Sequence, residues 1–201
     1  MFYAITRAVL NFLFFTILGL HVEGRENIPD TGAIIVAPNH KSYWDPPVIG
    51  VAFHNRVIHY MAKEELFKNP FFGWLIRQFG TFPVKRGAID RTAIRQAVRE
   101  LKAGNPLGIF PEGTRIKKDG LGRFHSGMAS LALMTGTPII PVAVIGSRDL
   151  PHRRGPFAVL IGKPVPVNKQ RPNDELVKEI NDDIKGRIES MMDEYKRKNI
   201  K

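Results

Sequence analysis

The chain has 201 residues, no cysteine and a formal net charge of +11 at pH 7. Its hydrophobic fraction of 43% and charged fraction of 24% exclude a disordered chain, and the length suits one domain. The absence of cysteine excludes disulfides, thiolate metal sites and a cysteine acyl-enzyme. From Arg171 onward eight basic residues balance eight acidic ones, so the whole excess, 22 basic against 11 acidic residues, lies in residues 1–170. Such a basic body favours anionic partners: phospholipid headgroups, phosphorylated substrates or nucleic acid.

Residues 1–20 are mostly apolar and are interrupted by Arg7 and Asn11. The unbroken run from Phe12 to Leu20 is shorter than the roughly 20 residues with which a helix spans a bilayer. No small-residue cleavage site follows, so a removed signal peptide is not expected. A helix buried in the core or in a dimer interface is one interpretation. We favour a membrane-associating helix that lies in the interface or dips into one leaflet, because its phenylalanines form a large apolar surface. Residues 21–201 then form the domain itself.

Strand and helix patterns alternate along the rest of the chain. Apolar runs bounded by glycine or proline predict strands at residues 33–37, 57–61, 107–110, 139–145 and 157–161. Helical spacing predicts a helix that is capped by Asp90 and ends at Gly104, a short buried helix at residues 127–135, and a long one from about Asn173 to Tyr195. This alternation predicts a single α/β domain with a largely parallel central sheet flanked by helices, in addition to the N-terminal apolar helix.

The first candidate for chemistry follows the strand at residues 33–37. His40 comes directly after this strand, and Asp45 lies five residues further on, before Pro46. In open α/β sheets ligands gather at the carboxyl ends of strands. A loop that folds back brings the Asp45 carboxylate to one ring nitrogen of His40, so that the other nitrogen can take a proton from a substrate hydroxyl. From the spacing alone, the simpler interpretation is not catalytic: Asp45 only caps a helix, and His40 only makes a structural hydrogen bond.

Two further strand ends carry polar residues. The strand at residues 107–110 leads into Glu112-Gly113-Thr114-Arg115. The glutamate can accept hydrogen bonds from substrate hydroxyls, and the glycine permits close approach of the backbone. The threonine offers a hydroxyl, and the arginine offers a planar cation for phosphate or carboxylate. A third strand end, residues 80–84, leads into Lys85-Arg86-Gly87. Taken singly, the first segment is ordinarily a proline–glycine turn with a surface ion pair, and the second is ordinarily a solvated basic turn.

Together these residues resemble the glycerolipid acyltransferase family, most closely the 1-acylglycerol-3-phosphate acyltransferases. Residues 39–45 resemble its His-x4-Asp (HX4D) motif, residues 82–87 its second block, residues 110–115 its third and residues 137–142 its fourth. The segment of residues 62–66 resembles one whose lysine, here Lys63, approaches the acceptor phosphate. Two departures leave the acceptor open: Lys85 stands where many relatives have an acid, and His125-Ser126 replaces a basic residue before Gly127.

The resemblance implies a membrane-associated enzyme of phospholipid biosynthesis, at the cytoplasmic face of the cell membrane. His40 would deprotonate the sn-2 hydroxyl of 1-acylglycerol 3-phosphate, and that oxygen would attack an acyl thioester of acyl carrier protein or coenzyme A to give phosphatidic acid. Lys63, Arg86 and Arg115 would hold the acceptor phosphate, Glu112 would orient the glycerol backbone, and Gly113 and Thr114 would complete the acceptor site. No metal or cofactor is expected beyond the thioester co-substrate, because a thioester is already activated.

Other functions remain open on the sequence alone. The acceptor can be another lysolipid or glycerol 3-phosphate. A non-catalytic protein that binds an anionic membrane surface would use the basic body but would not require His40 or Asp45. Nucleic acid is suggested only by the charge, and no nucleic-acid fold signature accompanies it, so we expect no such partner. Ser42 is two residues from His40, which is poor geometry for a nucleophile, and we expect it to support the loop.

Overall fold

The computed structural model describes residues 2–85, 90–152 and 155–199. Its helices are α1 (Phe2–Asn11), which continues as a π-helical segment (Phe12–Ile17), α2 (Asp45–Ala52), α3 (Pro70–Gln78), α4 (Arg91–Lys102), α5 (Gly127–Thr135) and α6 (Asp174–Asn199). Its strands are β1 (His21–Glu23), β2 (Ile34–Pro38), β3 (His59–Lys63), β4 (Phe82–Val84), β5 (Pro106–Gly108), β6 (Ile139–Ile145) and β7 (Ala158–Ile161). Short 3-10 turns lie between several of these elements.

The strands form one seven-stranded sheet in the order β1-β7-β6-β2-β5-β3-β4. All neighbouring strands are parallel except β6 and β7, which are antiparallel. The predicted single α/β domain with a largely parallel sheet is therefore confirmed. The predicted bounds of α5 and β6 agree with the structure, whereas β3 begins two residues later than expected, at His59. The sequence patterns missed β1 and α3.

Helices cover both faces of the sheet, because alternate side chains of the buried strands point to opposite sides. Ile35, Leu107 and Ile139 face the side on which α4, α5 and α6 pack. Ile34, Val36 and Ile140 face the other side, against the N-terminal segment and α2. β2 is buried along its whole length, as expected of a central parallel strand.

The N-terminal segment is attached to the domain by its π-helical part. Phe14 is fully buried, and its ring packs edge-on against Trp44 at 6.0 Å and against Phe157 at 6.2 Å, between centroids. The opposite side of the segment leaves apolar side chains more than half exposed: Ile5, Val9, Phe12 and Ile17. Within the described residues, no helix has the length and apolar character needed to cross a membrane. One face of the segment is thus core, and the other faces outward.

Candidate active site

The predicted site residues follow strands that end at one edge of the sheet. β2, β5, β3 and β4 are consecutive neighbours and parallel, so their carboxyl ends lie side by side. His40 follows β2, the turn at Glu112–Arg115 follows β5, Lys63 ends β3, and Lys85 follows β4. This is the edge at which open α/β sheets bind ligands.

His40 and Asp45 form the contact that their spacing predicts. The His40 Nδ1 lies 2.8 Å from the Asp45 Oδ2, and Asp45 is completely buried at the start of α2. Because an ionised carboxylate only accepts hydrogen bonds, the His40 Nδ1 donates in this contact, and in the neutral ring the lone pair is then on Nε2. None of the described residues hydrogen-bonds Nε2, and 13% of the His40 side chain is exposed. The ring is therefore oriented to accept a proton from a bound molecule.

The Asp45 carboxylate accepts hydrogen bonds from other donors in addition to His40. Its Oδ2 also accepts hydrogen bonds from the backbone N–H of Lys41 and of Ser42, at 2.7 and 2.8 Å. Its Oδ1 accepts one from the Ser147 hydroxyl, which is buried just beyond β6. The Ser42 hydroxyl accepts a hydrogen bond from the Trp44 N–H at 3.2 Å, so Ser42 supports the loop, as expected. Ser147 was not predicted, because its contact spans 102 positions of sequence.

Glu112 holds the His40 backbone in place. Its Oε2 accepts a hydrogen bond from the His40 N–H at 2.7 Å, and its Oε1 accepts one from the Gly122 N–H at 2.8 Å. The residue is 1% exposed. The sequence led us to expect acceptors for substrate hydroxyls here, but both Glu112 oxygens already accept backbone hydrogen bonds, and the side chain joins the two loops that bear His40 and Gly122.

The turn after β5 exposes its last three residues. Gly113 has a φ of +64°, and a Cβ there would lie 3.1 Å from the His125 ring, so this position favours glycine. Thr114 and Arg115 are exposed. The Arg115 guanidinium lies 3.4 Å from the Tyr43 ring centroid and donates a hydrogen bond to the Tyr43 hydroxyl at 2.8 Å. Arg115 is thereby held close to the loop between His40 and Asp45.

The other predicted phosphate ligands are placed less tightly. Lys63 forms an ion pair with Glu65 at 2.9 Å, and both side chains are about half exposed. Lys85 is exposed, and its backbone N–H donates a hydrogen bond to the Asp90 carboxylate. This hydrogen bond has the largest part in holding the pKa of Asp90 below its usual value, and the hydrogen bonds from the N–H groups of α4 lower that pKa further. Arg86 lies outside the described residues.

Aromatic rings continue from His40 into the core. The Phe110 ring stacks on His40 at 4.0 Å between centroids, and Tyr60 stacks on Phe110 at 5.8 Å. The Tyr60 hydroxyl is buried and has no hydrogen-bond partner among the described residues. Burial, together with the negative charge of Asp45, raises the pKa of Tyr60 and keeps it neutral. These stacked rings fix the plane of the His40 imidazole.

Lys41 and Arg148 form hydrogen bonds to the backbone of the segment that follows Arg115. The Lys41 ammonium donates to the carbonyl oxygens of Lys118, at 2.7 Å, and Gly120, and Arg148 donates to that of Lys118 at 2.9 Å. Partial burial lowers the pKa of Lys41. The same segment donates from the Ile116 N–H to the His40 carbonyl oxygen at 2.8 Å. Residues 116–122 therefore form part of the wall around His40.

The fold and site define an α/β domain that carries a His-x4-Asp pair at the carboxyl edge of a parallel sheet. A family model described as Acyltransferase matches residues 19–145. The chain belongs to the acyltransferase family, and the resemblance found in its motifs is confirmed. It is an enzyme, and its relatives act in phospholipid biosynthesis.

Individual relatives cover most of the chain. The 1-acyl-sn-glycerol-3-phosphate acyltransferase of Bacillus subtilis is 33% identical over 150 residues, 73% of this chain and 74% of that protein. The enzyme of the same name from Streptococcus pneumoniae is 32% identical over 98% of this chain and 75% of its own. The crystal structure of the 1-acyl-sn-glycerophosphate acyltransferase PlsC from Thermotoga maritima matches with a TM-score of 0.68 and 33% identity, over 86% of this chain and 72% of that one. A lyso-ornithine lipid O-acyltransferase of Pseudomonas aeruginosa is 36% identical over 59% of this chain and 46% of its own.

Proposed function

We propose that the protein transfers a fatty acyl group from a thioester of acyl carrier protein or coenzyme A to the sn-2 hydroxyl of 1-acylglycerol 3-phosphate. The product is phosphatidic acid, for phospholipid synthesis. His40 Nε2 takes the hydroxyl proton as the oxygen attacks the thioester carbonyl carbon. The carbon–sulfur bond then breaks, and the imidazolium returns the proton to the leaving thiolate. No metal or cofactor takes part.

The observation that carries this proposal is the 2.8 Å contact between His40 Nδ1 and the buried Asp45 carboxylate. The carboxylate fixes the tautomer and stabilises the imidazolium that forms when Nε2 is protonated. Among the described residues, no serine or threonine hydroxyl is hydrogen-bonded to His40 to act as an enzyme nucleophile. The hydroxyl that His40 activates therefore belongs to the substrate.

The acceptor phosphate is assigned to cations at the same edge of the sheet. Lys63 and Arg115 are exposed there, and Arg86 follows β4 in the chain. Arg115 supplies a planar fork for phosphate, and a fixed phosphate holds the acceptor hydroxyl near His40, which is worth several kcal/mol of barrier. Gly113 and Thr114 form the exposed part of the turn beside Arg115, and Glu112 joins this turn to the His40 backbone by its hydrogen bond from the His40 N–H.

A second acceptor is supported by one relative and one residue. The similar Pseudomonas protein is named for a lyso-ornithine lipid, which distinguishes it from the other relatives described. His125-Ser126 replaces the basic residue expected before Gly127, and the His125 ring lies against Gly113 in the exposed turn. An acceptor without a phosphate monoester, such as another lysolipid, is therefore the alternative to 1-acylglycerol 3-phosphate.

The N-terminal segment is proposed to rest on the cytoplasmic face of the cell membrane. Its outward side chains Ile5, Val9 and Phe12 recur at the spacing of one helical face, while Phe14 anchors the segment to the domain. The basic body would face the anionic headgroups. This arrangement gives the enzyme access to a lysolipid that stays in the membrane.

An acceptor screen by mass spectrometry tests the function. Lysophosphatidic acid, glycerol 3-phosphate and neutral lysolipids are each incubated with acyl carrier protein and coenzyme A thioesters, and the His40→Ala variant gives the background. We expect phosphatidic acid from lysophosphatidic acid, at a rate well above that background. Transfer only to acceptors that lack phosphate would overturn the roles of Lys63, Arg86 and Arg115.

A further inference from the structure

An exposed aromatic surface lies on α3, which connects β3 to β4. Phe71 and Trp74 are 72% and 45% exposed and share one side of the helix, and we call these two side chains the α3 aromatic face. The Phe71 and Trp74 rings lie 6.2 Å apart, between centroids. A single exposed apolar side chain is ordinary, but two large aromatic rings side by side on one side of a helix mark a contact surface.

The packing of α3 aims this face away from the domain. Gly73 is buried on the side of α3 that meets the 3-10 turn Glu64–Phe67. A Cβ at Gly73 would lie 3.0 Å from the Phe67 carbonyl oxygen, so the glycine permits a close approach there. Because Phe71 and Gly73 are about 200° apart around the helix, Phe71 points outward.

The charged residues on α3 and directly before it are positive, whereas the exposed acids nearby, Glu64 and Glu65, lie in the adjoining 3-10 turn, where Glu65 is paired with Lys63. α3 contains no acidic residue; Lys68 precedes it and Arg77 lies in its last turn, both exposed. The Arg77 guanidinium lies 4.8 Å from the Phe67 ring centroid. Aromatic side chains flanked by cations match an anionic bilayer, with its acyl boundary beneath negative headgroups. A second copy of this chain would bring the same cations to the contact, which disfavours self-association through this face.

We propose that the α3 aromatic face inserts into the headgroup region of an anionic bilayer, as a lipid contact separate from the N-terminal segment. The 3-10 turn Glu64–Phe67 joins Lys63, at the end of β3, to α3. Insertion of α3 therefore places Lys63 near the depth at which a lysolipid carries its phosphate. That consequence rests on the proposed function, whereas membrane binding by α3 does not.

Vesicle binding tests the proposal directly. The Phe71→Ser/Trp74→Ser variant and the wild type are sedimented with phosphatidylcholine vesicles that contain about 30% phosphatidylglycerol. The matched control is Val57→Ser/Met134→Ser, which removes two exposed apolar side chains elsewhere. We expect binding to fall about tenfold or more for the α3 variant and to stay within about twofold for the control. Equal binding by the wild type and the α3 variant would overturn the proposal.

A second measurement does not depend on the folding of the α3 variant. In a Trp44→Phe variant Trp74 is the only tryptophan, so its fluorescence reports on α3 alone. Vesicles with brominated acyl chains should quench this emission and shift it to the blue. Unchanged emission, or a change that depends on protein concentration without vesicles, would contradict a lipid contact.

The proposed function and this proposal can fail separately. The vesicle measurements need no substrate, so they stand whichever acceptor the enzyme uses. Acyl transfer to a short-chain lysophosphatidic acid that is monomeric in solution should be unchanged in the Phe71→Ser/Trp74→Ser variant, while transfer to a vesicle-embedded acceptor should fall with binding. Equal loss with both acceptors would show that α3 serves the reaction rather than the membrane, and would overturn the proposal.

Discussion

The Ser147 hydroxyl donates a hydrogen bond to the Asp45 Oδ1, while the His40 Nδ1 donates to the Oδ2 of the same carboxylate. Ser147 comes just after β6, and Asp45 follows the end of β2, the neighbouring parallel strand. The buried carboxylate is thus fixed from two sides, so its orientation toward His40 does not depend on the local loop alone.

Removing the Ser147 hydroxyl should slow turnover. In Ser147→Ala the Asp45 Oδ1 loses its donor, and the carboxylate can rotate away from His40. We expect kcat to fall about tenfold, the equivalent of one buried hydrogen bond, with KM nearly unchanged. Ser147→Thr, which keeps the hydroxyl, should restore most of kcat.

Thr135→Val is the matched control for Ser147→Ala. It also removes a hydroxyl that makes hydrogen bonds, but Thr135 ends α5 just before β6 begins, at the opposite edge of the sheet. Its kcat should stay close to that of the wild type. An equal fall in kcat for Thr135→Val would show that Ser147 acts only through general stability.

Glu112→Gln should lower both stability and activity. Glutamine keeps one acceptor oxygen, so it can serve only one of the backbone N–H groups of His40 and Gly122. The other is left unsatisfied in a buried place, at a cost of about 1–3 kcal/mol, measured by denaturant unfolding. Glu179→Gln, on the exposed side of α6, is the control and should change neither quantity. Unaltered stability in Glu112→Gln would contradict the bracing role that the geometry gives this residue.

Arg115→Lys tests the assignment of the acceptor phosphate. Lysine keeps the charge but loses the planar fork and the contact with the Tyr43 ring. We expect KM for lysophosphatidic acid to rise about tenfold, with a smaller change in kcat. Lys163→Met removes an exposed cation that follows β7. Because β7 is antiparallel to β6, this cation lies at the end of the sheet opposite to the site, and KM should be unchanged. A normal KM in Arg115→Lys would place the phosphate elsewhere.

Asp90→Ala should destabilise the protein in a pH-dependent manner. Hydrogen bonds from Lys85 and from the first turn of α4 lower the pKa of Asp90 in the folded state, so folding favours the ionised carboxylate. This stability is present above the unfolded value of about 3.9 and is lost as the pH falls through the lower folded value. The melting temperature of Asp90→Ala should therefore lie below that of the wild type at pH 7, and the gap should narrow in acid. A gap that widens toward low pH would contradict the assigned cap.

Local patterns predicted more of this structure than distant contacts did. The uninterrupted run of β6 and the Asp90 cap of α4 depend on neighbouring residues, and both are present as expected. β1 has three residues and depends on its pairing with β7, so no pattern marks it. α3 was missed because its run of aromatic residues around Gly73 has no single buried stripe.

The site shows the same division. The contact between His40 and Asp45 spans five positions and follows from a short loop. The contacts of Ser147 with Asp45 and of Glu112 with the His40 N–H require that β6 and β5 lie on either side of β2, and strand order is not written in any local segment. The sequence therefore predicted which residues gather at the edge of the sheet, but not that Glu112 binds backbone while Ser147 binds the dyad.

The most direct measurement is acyl transfer by His40→Ala, compared with wild type under single-turnover conditions, with circular dichroism to confirm the fold. Loss of Nε2 removes the group that takes the hydroxyl proton, and we expect the rate of transfer to fall by about 10²–10⁴-fold, with vesicle binding retained. Turnover at the wild-type rate in a folded His40→Ala protein would contradict the general-base role on which the account depends.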